Sequence, residues 1–587
     1  PFFQAEDGIR DTNSGLVGSE MCIRDSNGAT LISIDPRFTR SSAKAHIYSP
    51  MRSGTDIAFF GGMIKWVLDD MEANPDKYNM TYVSEYTNAA FLIDPEFKTA
   101  AELDGKFSGF VPGDNANFGK YDKATWKWQK DADGIPLKDR TLQDPNCVFQ
   151  LLKEQFARYD ADTVAATTGA DTDTFLQICE TYARLTGPVG KSGTIMYAMG
   201  TTQHTHGTQN IRAYAILQLL LGNVGVAGGG INALRGESNV QGSTDHCLLF
   251  HILPGYLGPP IATDVTLQDH LVRRTPTTSD PSSANWWQNY PKYYVSLLKS
   301  WYGDNATEAN EFGYQWLPNL NPGTNYSHIA LFEAMQAGTI KGMFAWGQNP
   351  AVGGPNSNAE RKALENLDWL VSVDLWETET GAFWKEPGLD PGAIQTEVFM
   401  LPAAASYEKE GSVVNSGRWS QWRWKAVDPP GEAKPDLEIV AELMLKVIDL
   451  YEAEGGPLAD AITSLRWKGW YDNPAGQNGA ADLTDLVSRE INGFAEAQIL
   501  NEDGSVKYEE GQLMGTFGHL LADGSTSSSN WLYTQSYNEK DGNRQKWRDN
   551  TDYHPAGIGL YAKWSWCWPV NRRIIYNRAS VDLDGNP

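Results

Sequence analysis

TLISIDPRFTR, residues 30–40, begins as a short apolar run and stops at Asp35-Pro36-Arg37. A strand covered on both faces reads this way, as a near-continuous aliphatic stretch ended by turn residues. Thr30–Ile34 is therefore predicted as a buried strand. Thr55–Asp70 follows with helical periodicity, and Ser53 or Thr55 stands where an N-cap belongs. The pattern recurs: a strand at Thr194–Met199 runs into Gly200-Thr201-Thr202-Gln203-His204, then a mostly apolar helix spans Ile211–Leu221, predicted to be buried over most of its surface. It recurs again at Gly342–Trp346, ending in Gly347-Gln348-Asn349-Pro350, and at Trp369–Val373, ending in Asp374. Strands alternating with helices in this way specify an α/β class with doubly wound parallel sheets.

The 587 residues exceed what one hydrophobic core can serve, so three or four structural units are expected. With 73 acidic against 48 basic side chains the net charge is −25, which repels a phosphate backbone and argues against a nucleic-acid partner. No run of 18 apolar residues occurs, so no direct membrane span is expected. Cys22, Cys147, Cys179, Cys247 and Cys567 form no C-x-x-C pair and signal neither a structural zinc nor an iron–sulfur site. The stretch 253–322, rich in Pro, Asn, Trp and Tyr, reads as a long insertion. Beyond Val427 the periodicity weakens.

Ligands of open parallel sheets bind beyond the carboxyl ends of the strands, so the strand-end loops are the candidate sites. Neither G-x-G-x-x-G after a strand nor G-x-x-x-x-G-K-[ST] is present, and Gly228–Gly230 reads as a turn. Asp35, Asp56 and Asp374 could each accept two donors from guanine. The residues alone favour the alternatives, a turn cap before proline for Asp35 and an interaction with a helix N-terminus for Asp56. His204 and His206 lack companion ligands and read as hydrogen-bonded histidines rather than a metal pair. Arg235, in NALRGESNVQG (232–242), is suited to clamp a small carboxylate through two parallel bonds; an interdomain salt bridge, to Glu237 or a distant acid, is the alternative.

These strings resemble the molybdopterin oxidoreductase superfamily. IDPRFTR (34–40), RSGTD (52–56), MGTTQHTHG (199–207), GQNP (347–350), DLWETET (374–380) and NSGRW (415–419) are similar to its cradle for two molybdopterin guanine dinucleotides. The resemblance implies cofactor contacts at Asp35, Arg37, Ser53, Gly54, Asp56, Met199, Gly200, Gln203, His204, Gly347, Asn349, Asp374, Thr378 and Glu379. NALRGESNVQGSTD (232–245), NYPKYYVSLLKSWYGDNAT (289–307) and WPVNRRIIYNRAS (568–580) resemble the respiratory formate dehydrogenase branch. For that branch, the position of Arg235 holds formate near a molybdenum or tungsten centre, and electrons leave through the pterin to iron–sulfur clusters. The implied partners are formate, an iron–sulfur electron-transfer subunit and a membrane cytochrome subunit, in the periplasm. Another pterin enzyme, acting on nitrate or a sulfoxide, is the rival reading, and a non-catalytic protein with a degenerate cradle is a second.

Residues 1–26 resemble translated sequencing adapter. The family's metal-ligating cysteine or selenocysteine and its [4Fe–4S] ligands are expected upstream of IDPR, with any export signal, so the chain reads as a fragment that is inactive by itself. The expected organisation is a first doubly wound unit at 27–235, a second at 236–405 carrying the insertion, an irregular covering region at 406–560, and the start of a barrel-like C-terminal pterin-binding domain at 561–587.

Overall fold

The structure, a computed structural model, describes residues 28–113, 119–226, 228–277, 286–321, 323–549, 551 and 563–567. The segment 1–26, with Cys22, lies outside them, as does 568–587, with the apolar run Arg573–Tyr576. The elements that matter for the site are β1 (Ile32–Ile34), β2 (Ile47–Ser49), α1 (Asp56–Ala73), α2 (Thr172–Thr186), β3 (Thr194–Tyr197), α3 (Gly207–Leu220), β4 (Gly230–Ala233) and α4 (Val240–Asp245). After them come α5 (Tyr290–Tyr302), β5 (Gly342–Trp346), α6 (Ser357–Leu364), β6 (Trp369–Asp374), β7 (Glu397–Pro402), β8 (Gly411–Val414), β9 (Trp419–Arg423), α7 (Asp436–Glu454), α8 (Leu483–Asn492) and β10 (Ser565–Trp566).

Parallel pairing dominates where the sequence alternates strand and helix. β1 pairs with β2, β3 with β4, and β5 with β6 and β6 with β7, all in parallel. One core serves the first two pairs: Phe59, Ile64, Leu68, Ile178 and Leu217 are buried there, with Ile34, Ile47, Ile195 and Ile231 packed against them. Gly61 and Gly62 let α1 approach closely. A Cβ on Gly62 would stand 2.5 Å from Val164 and 2.7 Å from Phe175, and one on Gly61 2.8 Å from Tyr159. Each interior glycine costs a helix about 1 kcal/mol of propensity, which this packing offsets. α3 is mostly buried, as its composition predicts, with Thr208, Gln209 and Arg212 its exposed residues.

A second core, with Phe332, Met335, Leu364 and Leu370, supports β5–β7. Among its described residues, the stretch 253–322 holds regular structure, with Leu267–Arg274 and Tyr290–Tyr302 helical. Its helix α5 shares a core with residues 494–533, where Tyr293 stacks on Trp531 at 4.2 Å and 3°. β8 and β9 form an antiparallel hairpin, and β10 joins it as a third strand. Trp564 lies flat on Trp419, with centroids 3.7 Å apart. Among the described residues no helix is long and apolar enough to cross a membrane.

Candidate functional site

Strand register assembles the first cluster. Ile34 pairs with Ser49, so Asp35 leaves β1 beside the Arg52–Asp56 loop that follows β2. Tyr197 pairs with Ala233, which puts Met199 and Arg235 two residues past the same register line, at one edge of the β3–β4 pair. The loops are tied together. His206 donates from Nε2 to the Gly54 carbonyl at 3.1 Å, and His204 from Nε2 to the Gly200 carbonyl at 2.9 Å. The two rings stack at 5.7 Å, and a Cβ on Gly54, whose φ is +81°, would meet His204 at 3.7 Å. Both histidines are thus hydrogen-bonded, as read from the sequence.

Asp56, the first residue of α1, is 4% exposed. Its Oδ1 accepts from the Tyr214 hydroxyl at 3.0 Å, while its Oδ2 is buried with no partner. Thr201 donates in turn to Tyr214 at 3.0 Å, and Asn210 donates to the Thr201 carbonyl at 3.0 Å. Asn210 and Tyr214 are four apart on α3 and so share a face. Burial pushes the Tyr214 phenol above its ordinary pKa, which keeps it a donor. Thr55 is the N-cap, but its hydroxyl donates backward to the Arg52 carbonyl at 2.6 Å instead of capping α1. Asp35 accepts from the Arg37 backbone N–H at 2.8 Å, an Asx turn around Pro36. Ser53, Gly200 and Gln203 are exposed, and Met199 is 60% exposed.

The second cluster lies past β5 and β6. Gly347, with φ +58° and open space around it, donates to the Val373 carbonyl at 2.8 Å. Asn349 then clasps the opposite loop. Its amide donates to Glu379 at 2.7 Å, and its Oδ1 accepts from the Thr380 backbone N–H at 3.1 Å and the Thr380 hydroxyl at 2.8 Å. The Asn349 bond holds the Glu379 carboxyl below its usual pKa. Asp374 turns its Oδ1 back to the Leu375 N–H at 2.7 Å. Thr378 keeps a buried hydroxyl without a partner. An open recess of about 680 Å³ adjoins the clasp, lined by Gln348, Asn349, Pro350, His328 and Gly354. A Cβ on Gly354 would stand 1.8 Å from the carboxylate of buried Glu360, which would have to shift to admit a side chain.

Arg235 is half-buried. Its backbone N–H donates to Ser416 at 2.9 Å, and its guanidinium reaches Gln241 at 3.5 Å. Among the described residues it makes no ion pair, with Glu237 or with any other acid. No individual role for Tyr214, Thr380, Gln241 or Asp245 follows from the sequence, although the last three lie inside the quoted motifs. The i, i+4 spacing of Gln241 and Asp245 on α4 was a signal for the last two.

Residues 16–446 match the molybdopterin oxidoreductase family. The chain is 50% identical to formate dehydrogenase subunit alpha of Megalodesulfovibrio gigas, over 95% of this chain and 53% of that one. It is 48% identical to formate dehydrogenase 2 subunit alpha (cytochrome c-553) of Nitratidesulfovibrio vulgaris, over 96% and 53%. It is 44% identical to the nitrate-inducible formate dehydrogenase major subunit of Escherichia coli, over 96% and 54%. The chain spans about half the length of these curated relatives. By the extent of the family match and these identities, the chain belongs to the molybdopterin oxidoreductase family, and that membership implies a molybdopterin-bound metal.

Proposed function

We propose that this chain is part of the catalytic subunit of a formate dehydrogenase, which oxidises formate to carbon dioxide, a proton and two electrons. The observation that carries the reading is the placement of Arg235: half-buried, unpaired with any acid among the described residues, and level with Met199 at one sheet edge. A guanidinium so held can take a one-carbon carboxylate by both oxygens and leave its C–H pointing away. The names of the relatives point the same way.

The group to be held is a molybdenum or tungsten centre with two molybdopterin guanine dinucleotides, and the strand-end loops suit it. Gly200 and Gly347 leave open space where a Cβ would stand, so backbone N–H groups can approach phosphate or pterin closely. Asp56 Oδ2 and Thr378 Oγ1 are buried polar atoms without partners, the kind of group that a guanine or pterin edge would satisfy. When bound, the metal supplies a two-electron acceptor. The chain's own share is position and charge: Arg235 orients the anion, and Asp35, Arg37, Ser53, Gly54, Asp56, Met199, Gly200, Gln203 and His204 line one loop set. Gly347, Asn349, Asp374, Thr378 and Glu379 line the other. A [4Fe–4S] cluster, an iron–sulfur subunit and a membrane cytochrome subunit would carry the electrons onward in the periplasm.

The test is the full-length enzyme, matured with its neighbouring subunits. Formate-dependent reduction of a viologen dye is expected, with two equivalents of GMP released per metal on acid hydrolysis. Reduction of nitrate or a sulfoxide without formate oxidation would replace this reading by that of another pterin enzyme.

A further inference from the structure

Behind Arg235 lies a buried polar network that the clamp alone does not require. Gln241 is 5% exposed. Its amide nitrogen donates to Asp245 Oδ1 at 2.8 Å and to the Tyr256 hydroxyl at 3.2 Å. Asp245 is fully buried. Its Oδ1 also accepts from Tyr256 at 2.7 Å and faces Arg418 at 3.3 Å, and its Oδ2 accepts from Tyr533 at 3.1 Å. Arg418 sits in the left-handed region at φ +61°, where its carbonyl receives the backbone N–H of Cys567 at 3.0 Å. A residue held in that region points to surroundings that over-determine it.

With both amide hydrogens of Gln241 directed at Asp245 and Tyr256, the oxygen must face the other way, toward Arg235. A glutamine in the reverse orientation would turn its amine on the guanidinium and leave a carboxylate and a phenol facing a carbonyl. We propose that Gln241, oriented by Asp245, braces Arg235 as a neutral acceptor, so that the guanidinium's charge stays available to a small carboxylate substrate. Asp245 is then a positioning residue. Its own negative charge is met by Arg418 and two phenols rather than by Arg235. An acid in place of Gln241 would pair with the clamp directly and compete with any anion that enters. The inference rests on Arg235 as the carboxylate clamp.

The experiment uses full-length enzyme with its partner subunits and formate kinetics normalised to metal content, with Arg235→Lys measured in parallel. Gln241→Glu preserves shape and is expected to raise KM for formate roughly 10- to 100-fold, with kcat changed less than about 3-fold. Gln241→Met, which keeps length and removes the acceptor, is expected to raise KM by only about 3-fold. It carries the test if the introduced carboxylate blocks metal loading. A purely structural role would instead lower metal content or thermal stability and leave normalised KM at the parent value. If Arg235→Lys lowers kcat/KM while every loaded Gln241 variant keeps the parent KM, the brace is overturned and the clamp stands. If Arg235→Lys leaves kcat/KM unchanged, the clamp falls and the brace with it.

Discussion

At the edge of the first parallel sheets, Asp56 is 4% exposed and leans on Tyr214, 158 residues away in sequence. At the edge of the second, Asp374 is half-buried and folded back on its neighbour Leu375, and the work of joining loops falls to Asn349, also half-buried. Sequence reasoning treated Asp56 and Asp374 as one kind of residue, each a candidate for guanine. Their surroundings differ in a way that sets how each region would fail. The first edge carries a half-buried arginine and, apart from it, a buried carboxylate–phenol pair, so damage there should reach chemistry at the one and stability at the other. The second is a half-buried clasp from Asn349 to exposed Glu379 and buried Thr380, so damage there should reach cofactor loading while the fold persists.

The sharpest test of that contrast is Arg235→Lys in the full-length enzyme. An ammonium loses one charge-assisted bond and the fork's alignment, at roughly 2–4 kcal/mol in kcat/KM, or 30- to 1000-fold. Metal content should stay intact, and formate kinetics normalised to metal would show whether it does. Next comes Tyr214→Phe, which strips Asp56 Oδ1 of its donor inside the core and should cost about 1–3 kcal/mol of unfolding free energy by denaturant titration. An unchanged midpoint would make the two edges alike after all.

Asp→Asn at either carboxylate turns one acceptor into a donor that opposes the donors of guanine. Pterin content should fall several-fold, about 1 kcal/mol, in both Asp56→Asn and Asp374→Asn, with Asp374→Asn leaving stability within about 0.5 kcal/mol. Full pterin content in both would return them to helix-terminus and turn roles. The smallest effect is electrostatic. The Asn349 bond holds the Glu379 carboxyl down, so Asn349→Ala should let its pKa rise toward the ordinary value, visible by carboxyl ¹³C titration. The sign follows from the lowered pKa: the bond's contribution is present above the ordinary carboxylate range and is lost as pH falls through the depressed value.

Strands and their terminators were legible because each is short, aliphatic and abruptly ended, but burial is less than the sequence predicts: β1 covers only Ile32–Ile34 and is half-buried, and Met196 of β3 and Phe344 of β5 are exposed. β5 runs over Gly342–Trp346 as read, and β6 extends one residue further, to Asp374. β3 was read as reaching Met199 but ends at Tyr197, because Met199–Thr202 already turns as a short helix. Partnerships were less legible. Tyr214 under Asp56, Thr380 against Asn349 and Ser416 on the Arg235 backbone join residues 158, 31 and 181 apart. Nothing local to either member announces such a contact; only the packing of whole elements creates it. Gln241 and Asp245, within one helical turn, were the exception that periodicity could have flagged.

The paired glycines of α1 have a bearing on heredity as much as on packing. Gly62 stands six residues along the helix from Asp56, about 9 Å at 1.5 Å per residue. α1, Asp56–Ala73, is a stiff rod pressed against Val164 and Phe175 at Gly62, in its first half, and its N-terminal end carries a buried carboxylate. A methyl group gained at Gly62 would act as a shim under a lever six residues from its N-terminal end, and the displacement would arrive at Asp56. Drift at a position that touches no ligand is thereby coupled to the geometry of one that is a candidate to.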